Sequence, residues 1–277
     1  MTTGDSSTST SLDLCVAGSD VRIQAPLPVV EVVERMLAGV SHEWLHKTEV
    51  LNIDARFDLD VWRVGGVAPK GRKTLGSESA LPQVAGAIVS SLVAELTYYK
   101  RVSSWRAAVL ERNGGALAMV GDDWESIVTL VAHLHTRGWR ILGGDYAIIE
   151  PGSFVALPFQ KMLHANSFCV ASFPLWYRRA VEASPWYSTG AAIDFYAIDP
   201  TMVSGAPAWG ERTPIRALLR ADGHASEHPS LETGENFRVA DGLRRSDLID
   251  AGIESGMLVR GGFIETCDFL ERWFASA

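Results

Sequence analysis

Ala116-Leu117-Ala118-Met119-Val120-Gly121-Asp122-Asp123-Trp124-Glu125-Ser126-Ile127-Val128-Thr129-Leu130-Val131-Ala132-His133-Leu134 is the stretch on which the reading of this chain turns. Its apolar opening, ended by Gly121, has the pattern of a short buried strand. Beyond the polar loop, Ile127, Leu130, Val131 and Leu134 recur at helical spacing, and Gly138 is placed to stop the helix. The order is therefore strand, glycine-initiated loop, helix. Asp at a helix N-cap and acidic residues in a first turn satisfy free N–H groups and suit the helix dipole, which gives Asp122, Asp123 and Glu125 a structural role to weigh against any chemical one.

Working outward, Ala107-Ala108-Val109-Leu110 and the turn Glu111-Arg112-Asn113-Gly114-Gly115 read as the first arm of a hairpin whose second arm is the apolar run. Downstream, Trp139 to Ile149 reads as one further strand, closed by Pro151-Gly152. Upstream, Leu12 to Gln24 favours short strands, Val29 to Leu37 takes helical spacing after Pro26 and Pro28, and Val50 to Val64 alternates like strands. These lead into a mobile loop from Gly65 to Gly76. Pro82 to Lys100 reads as a buried helix, and Ile264 to Phe274 as a C-terminal one. The organisation expected is a disordered tail over 1–11, an N-terminal lobe over 12–100 and a core over 101–277.

With 277 residues, 47% hydrophobic and 21% charged, the chain is long enough to bury a sizeable core. A net charge of -8 with no dense Lys/Arg stripe argues against nucleic acid as a partner. The apolar run Ala85 to Leu96 is too short to span a bilayer, so no membrane partner is expected. Cys15, Cys169 and Cys267 are odd in number and form no CxxC, which fits a reducing cytoplasm and no zinc site. Cys169, between Phe168 and Val170, reads as buried rather than nucleophilic. His133 and His135 lie two apart on a helix and face different sides. His224, Glu227 and His228 have looser metal-like spacing within a surface loop; no metal and no cofactor is expected.

Trp105 to Arg112, the strand, glycine-initiated loop and helix, and then Arg137-Gly138-Trp139-Arg140-Ile141-Leu142 resemble the HPr kinase/phosphorylase family, in its HPr-kinase-related branch. Val21 to Pro28 looks like the N-terminal lobe of those relatives, and the likeness covers much of residues 12–165. The fold it implies is α/β: an HPr-kinase-like P-loop-type domain with a smaller N-terminal α+β lobe.

The departures from that family decide the functional expectation. A phosphate loop needs glycines that let N–H groups curl around phosphate, a Lys for the β/γ-phosphates and a hydroxyl residue for magnesium. Against that pattern Gly121 stands at the first Gly, but Ser126 replaces the second Gly, Ile127 the Lys and Val128 the hydroxyl residue; only Thr129 echoes it. Asp122, Asp123 and Glu125 place carboxylates where a nucleotide would bring negative charge. The family's acidic pair is reduced to Asp145 in Gly143-Gly144-Asp145, and its strand-initial His corresponds to Arg106, which cannot act as a neutral base.

The reading is a repurposed, ATP-independent protein, an enzyme acting on an amine-bearing small molecule in specialised biosynthesis. Asp122, Asp123 or Asp145 would serve as the carboxylate base, with Arg106, Trp124, Glu125, Lys161 and His164 binding substrate and an anionic leaving group. Two alternatives stay open: a catalytically inactive pseudokinase that binds a partner protein or peptide, and a kinase with a relocated Lys, Lys100 or Lys161.

Overall fold

The computed structural model describes residues 9–37, 40, 49–161, 163–182, 186–188, 194–203, 209–232, 238–240 and 243–276. These divide into two compact units with the boundary between Ser103 and Ser104; Tyr187 and Ser188 group with the first.

The first unit is a small mixed sheet with two helices: β1 (Ser9–Val16), β2 (Ser19–Pro26), α1 (Leu27–Met36), β3 (Leu51–Asp58), β4 (Val61–Gly65), β5 (Lys73–Gly76) and α2 (Leu81–Tyr98). The strands lie in the order β1-β2-β3-β4-β5, with β2 and β3 parallel and the other pairs antiparallel. β3 alternates over its first half: Leu51, Ile53 and Ala55 are buried, Asn52 between them is exposed and Asp54 half-buried. Along α2, Val84, Ile88, Val89, Leu92, Val93 and Leu96 are buried, and no helix among the described residues is long and apolar enough to cross a membrane.

Two expectations need correction here. β1 begins at Ser9, inside the segment read as a tail, because Ser9, Thr10 and Ser11 pair with Pro26, Ala25 and Gln24; residues 1–8 lie outside the described residues. The presumed loop from Gly65 to Gly76 contains a 3₁₀ turn, Pro69–Gly71, and then β5, held by its ladder to β4. Its turn-forming composition hid a strand that exists only because a neighbour supplies its hydrogen bonds.

The second unit carries a larger sheet. In chain order it contains β6 (Ser103–Trp105), β7 (Ala108–Arg112), β8 (Gly115–Val120), α3 (Trp124–Thr136), β9 (Arg140–Gly143), β10 (Ala147–Ile149), β11 (Val155–Leu157) and β12 (Leu163–Asn166). Then follow α4 (Ser167–Ala171), α5 (Leu175–Glu182), β13 (Trp186–Ser188), of which only Trp186 belongs to this unit, β14 (Asp194–Ile198), β15 (Thr213–Ala225), β16 (Ser230–Glu232), β17 (Arg238–Ala240), β18 (Leu243–Arg244), α6 (Arg245–Asp250), β19 (Glu254–Arg260) and α7 (Phe263–Ser276). The sheet runs β6-β10-β11-β15-β8-β7-β9, and β19 also pairs with β15. β8, β15 and β19 are parallel. The whole is a mixed α/β structure with a small N-terminal sheet and a larger second one.

The apolar run 116–120 is unbroken because β8 is covered on both faces. Leu117 and Met119 pack with Ile127, Leu130, Val131 and Leu134 of α3, while Ala116, Ala118 and Val120 pack with Val109, Leu142 and Leu218. The hairpin turn fits equally well: Asn113 and Gly114 have φ of 53° and 74°, the pair of positive values that a two-residue turn between twisted strands requires. α3 ends at Gly138, φ 94°. The segment 139–149 is two strands, not one; the chain turns at Gly144-Asp145-Tyr146 between β9 and β10. A Cβ on Gly143 would sit 2.2 Å from the Tyr146 carbonyl oxygen, so this turn closes only over a glycine.

Candidate functional site

The candidate base and substrate-binding residues all lie in the second unit, whereas Lys100 lies in the first, and they do not converge on one pocket. At the N-terminus of α3 the three carboxylates have separate jobs. Asp123 is the N-cap: its Oδ1 accepts from the Ser126 N–H at 3.1 Å. Trp124 N–H donates to the Asp122 carbonyl at 3.0 Å, and Ile127 N–H to the Asp123 carbonyl at 3.1 Å. A helix start attracts anions through free N–H groups; here a carboxylate of the chain itself occupies that role. Ile127 and Val128, in the first turns, are fully buried in the core beneath. Asp123→Ala is expected to lower stability by about 1 kcal/mol and Asp123→Asn by only a few tenths, measured by urea denaturation.

Asp122 points outward, 93% exposed, and meets Arg220 at 3.3 Å, a contact of little energetic weight in water. Glu125 accepts from Asn166 Nδ2 at 2.6 Å. Arg106 is exposed and lies over the Trp124 ring, 5.3 Å from its centroid, a cation–π contact rather than part of an anion cradle.

The second group is more consequential. Asp145, on the β9–β10 turn, pairs with Lys161 Nζ at 2.7 Å, and the same Nζ is 3.4 Å from His164 Nδ1. Lys161, a substrate-binding candidate of the sequence, is 2% exposed while Asp145 keeps 24% of its side chain in solvent. Two atoms of this set are buried and have no hydrogen-bond partner among the described residues: Asp145 Oδ1 and His164 Nε2. Buried polar atoms in folded proteins are nearly always partnered, so this concentration in one set is informative.

Burial, reinforced by the Lys161 charge, lowers the His164 pKa to about 3, so the ring is neutral at pH 7. An ammonium offers only donors. Nδ1 facing Lys161 is therefore the lone-pair nitrogen, and Nε2 carries the proton. The set thus holds one buried acceptor, Asp145 Oδ1, and one buried donor, His164 Nε2–H, neither with a partner among the described residues, beside a buried cation. His164 and Asn166 are two apart on β12 and share a face, which joins this set to Glu125 at the start of α3.

The protonation state has a stability consequence. The folded protein keeps His164 neutral down to about pH 3, whereas an unfolded chain protonates it near its ordinary value of about 6.5. Between those two values the unfolded state binds more protons, so stability falls as pH drops from about 6.5 toward 3 and is insensitive to this group above 6.5. About 2 kcal/mol is expected to be lost between pH 7 and pH 4.5, and His164→Gln is expected to flatten that part of the profile.

Asn166 and Arg220 were not singled out in the sequence. Asn166 also caps α4, its Oδ1 accepting from Cys169 N–H at 2.9 Å, and an Asn before a short apolar segment was the available signal. Arg220 had none: it reaches Asp122 only through the parallel pairing of β15 with β8. The remaining candidates have structural positions. Trp105 and Trp139 are buried, as is Cys169, whose thiol pKa is raised by burial. His133 Nε2 contacts the Ser172 carbonyl at 3.0 Å and His135 Nδ1 the Tyr177 hydroxyl at 2.6 Å. The side chains of Trp186 and His224 lie outside the described residues, and Glu227 and His228 are exposed.

No family model matches the chain, and no curated protein matches it. Among solved structures the chain is distantly similar to the Hpr(Ser) kinase/phosphatase from Coxiella burnetii. The match covers 63% of this chain and 99% of that one at 16% identity, with a TM-score of 0.32. A likeness that slight transfers no residue role.

Proposed function

We propose that the chain is an ATP-independent enzyme acting on an amine-bearing small molecule in specialised metabolism, centred on Asp145, Lys161 and His164. The observation that carries this reading is a pair of buried hydrogen-bonding atoms, an acceptor and a donor, that lack a partner among the described residues and sit beside a buried ammonium. A substrate amine donates to Asp145 Oδ1, and a carbonyl or anionic oxygen of the same substrate accepts from His164 Nε2–H. Such a complement suits an intramolecular substitution or an elimination. Asp145 takes the proton released by the amine or an adjacent carbon, and the leaving group departs with its electron pair toward the donor side. Lys161 acts as a positioning residue: it holds Asp145 through Oδ2 and sets the His164 tautomer.

Asp123, as a cap, is excluded from the base role in this proposal, and Arg106 and Trp124, which pair with each other, have no part in it. The test is turnover of a panel of primary amines carrying a carboxylate, phosphate or halide leaving group. Asp145→Asn is expected to lower kcat/KM about 10²- to 10⁴-fold while Asp123→Asn leaves it within about threefold. Wild-type turnover in Asp145→Asn, or a loss confined to Asp123→Asn, would remove the proposal.

A further inference from the structure

In the first unit, the outward face of β3, β4 and β5 forms an open cleft of about 700 Å³ that the chemistry above does not use. Its lining includes Arg56, Arg63, Arg72 and Lys73 against Asp54 and Asp58. A local excess of positive charge is notable in a chain whose net charge is -8. The ladder places Arg56 directly opposite Arg63, and Arg63 opposite Thr74. Both arginines are exposed. Like charges facing each other across strands are destabilising, so a fold that needed nothing from them would gain by losing one. Arg63 has only a long contact to Asp58, 3.7 Å, in partial compensation. Arg72 is oriented differently: its guanidinium donates to the Gly66 and Val67 carbonyls at 3.2 and 3.3 Å, bracing the end of the cleft.

Among the described residues β5 is the last strand in the order of this sheet, and Lys73 and Thr74 on it are exposed. A terminal strand offers backbone N–H and C=O groups to an incoming extended segment, while side chains beside it select the sequence. We propose that this cleft, together with the outer edge of β5, binds an extended acidic peptide segment of a partner protein. The side-by-side Arg56 and Arg63 forks would each donate to a carboxylate, with Thr74 opposite Arg63 on the same face. The open, strand-aligned shape favours an extended chain over a compact anion: residues of one face recur at about 6.6–6.8 Å along β3, the spacing of alternate side chains in a peptide strand.

The inference is independent of the Asp145 reading. Its test is fluorescence anisotropy of a fluorescein-labelled hexaglutamate peptide with the full chain, at low salt and at 0.15 M salt. Saturable binding is expected, weakened at high salt, displaced by unlabelled hexaglutamate and not by hexalysine. Arg56→Ser/Arg63→Ser is expected to weaken it at least tenfold, with Arg35→Ser on α1 unchanged. Removing the opposed charges is expected to leave the melting temperature equal or higher; should the double variant unfold, the size-conserving Arg56→Gln alone is expected to weaken binding at least threefold. Binding within twofold of wild type in these variants, or no saturable binding, overturns the proposal. Displacement by inorganic phosphate or citrate as effective per charge as by the peptide also overturns it, marking a small-oxyanion site instead.

Discussion

Lys161→Met is expected to destabilise the protein by about 3–5 kcal/mol, because it leaves the Asp145 carboxylate partly buried and without its counter-ion. Lys161 is 2% exposed and lies 2.7 Å from Asp145 Oδ2, and Asp145 Oδ1 already lacks a partner among the described residues. Methionine fills similar volume, so the cost is electrostatic rather than a cavity. Against a typical total of about 5–15 kcal/mol, the loss is read readily as a drop in the urea midpoint. The double variant Lys161→Met/Asp145→Asn is expected to recover much of it, since no uncompensated charge then remains. Additive losses in the double variant would show that packing, not the ion pair, makes Lys161 necessary.

Gly121→Ala is expected to be still more damaging, at about 4 kcal/mol or more, to the point of little folded protein. Its φ is 146°, and an added Cβ would lie 2.0 Å from the Ala221 carbonyl oxygen, which is backbone and cannot rotate aside. Val120 pairs with Arg220 immediately before it, so relief of the clash requires β8 and β15 to separate at the point where α3 begins. Gly114→Ala is the matched control: φ there is 74°, but nothing lies within 4 Å of the new Cβ. Its cost should stay near 1 kcal/mol, that of the left-handed backbone alone. Circular dichroism melts of the two variants separate the predictions; similar losses would mean that conformational strain, not the close strand approach, explains Gly121.

Gly121 was legible in the sequence as the end of a strand, though not the reason only glycine fits. The same division holds across the molecule. The hairpin around Asn113-Gly114, the start and stop of α3 at Asp123 and Gly138, and α7 were readable because each rests on local patterns: turn chemistry, a cap, a helical period. β5 and the break in 139–149 were not, since one depends on β4 for its hydrogen bonds and the other on a tight approach of Gly143 to Tyr146.

The candidate site divides likewise. Asp123 as an N-cap followed from its position before an apolar period. Lys161 was legible as a substrate-binding candidate but not as a buried ion-pair partner, since lysines usually stay in solvent; Asp145 lies sixteen positions away, and only the fold brings the two to ion-pair distance. The cluster of carboxylates at 122–125 looked like one acidic pocket because sequence proximity was taken for convergence. In the fold they point to Arg220, to the helix backbone and to Asn166.

The central claim is that chemistry on this chain runs through Asp145, Lys161 and His164 without a nucleotide at the start of α3. Isothermal titration of the folded wild-type protein with ATP, with and without magnesium, tests it most directly. The account predicts no saturable heat in either case. Tight, magnesium-dependent binding that is lost when Ser126 or Thr129 is replaced by alanine would contradict it.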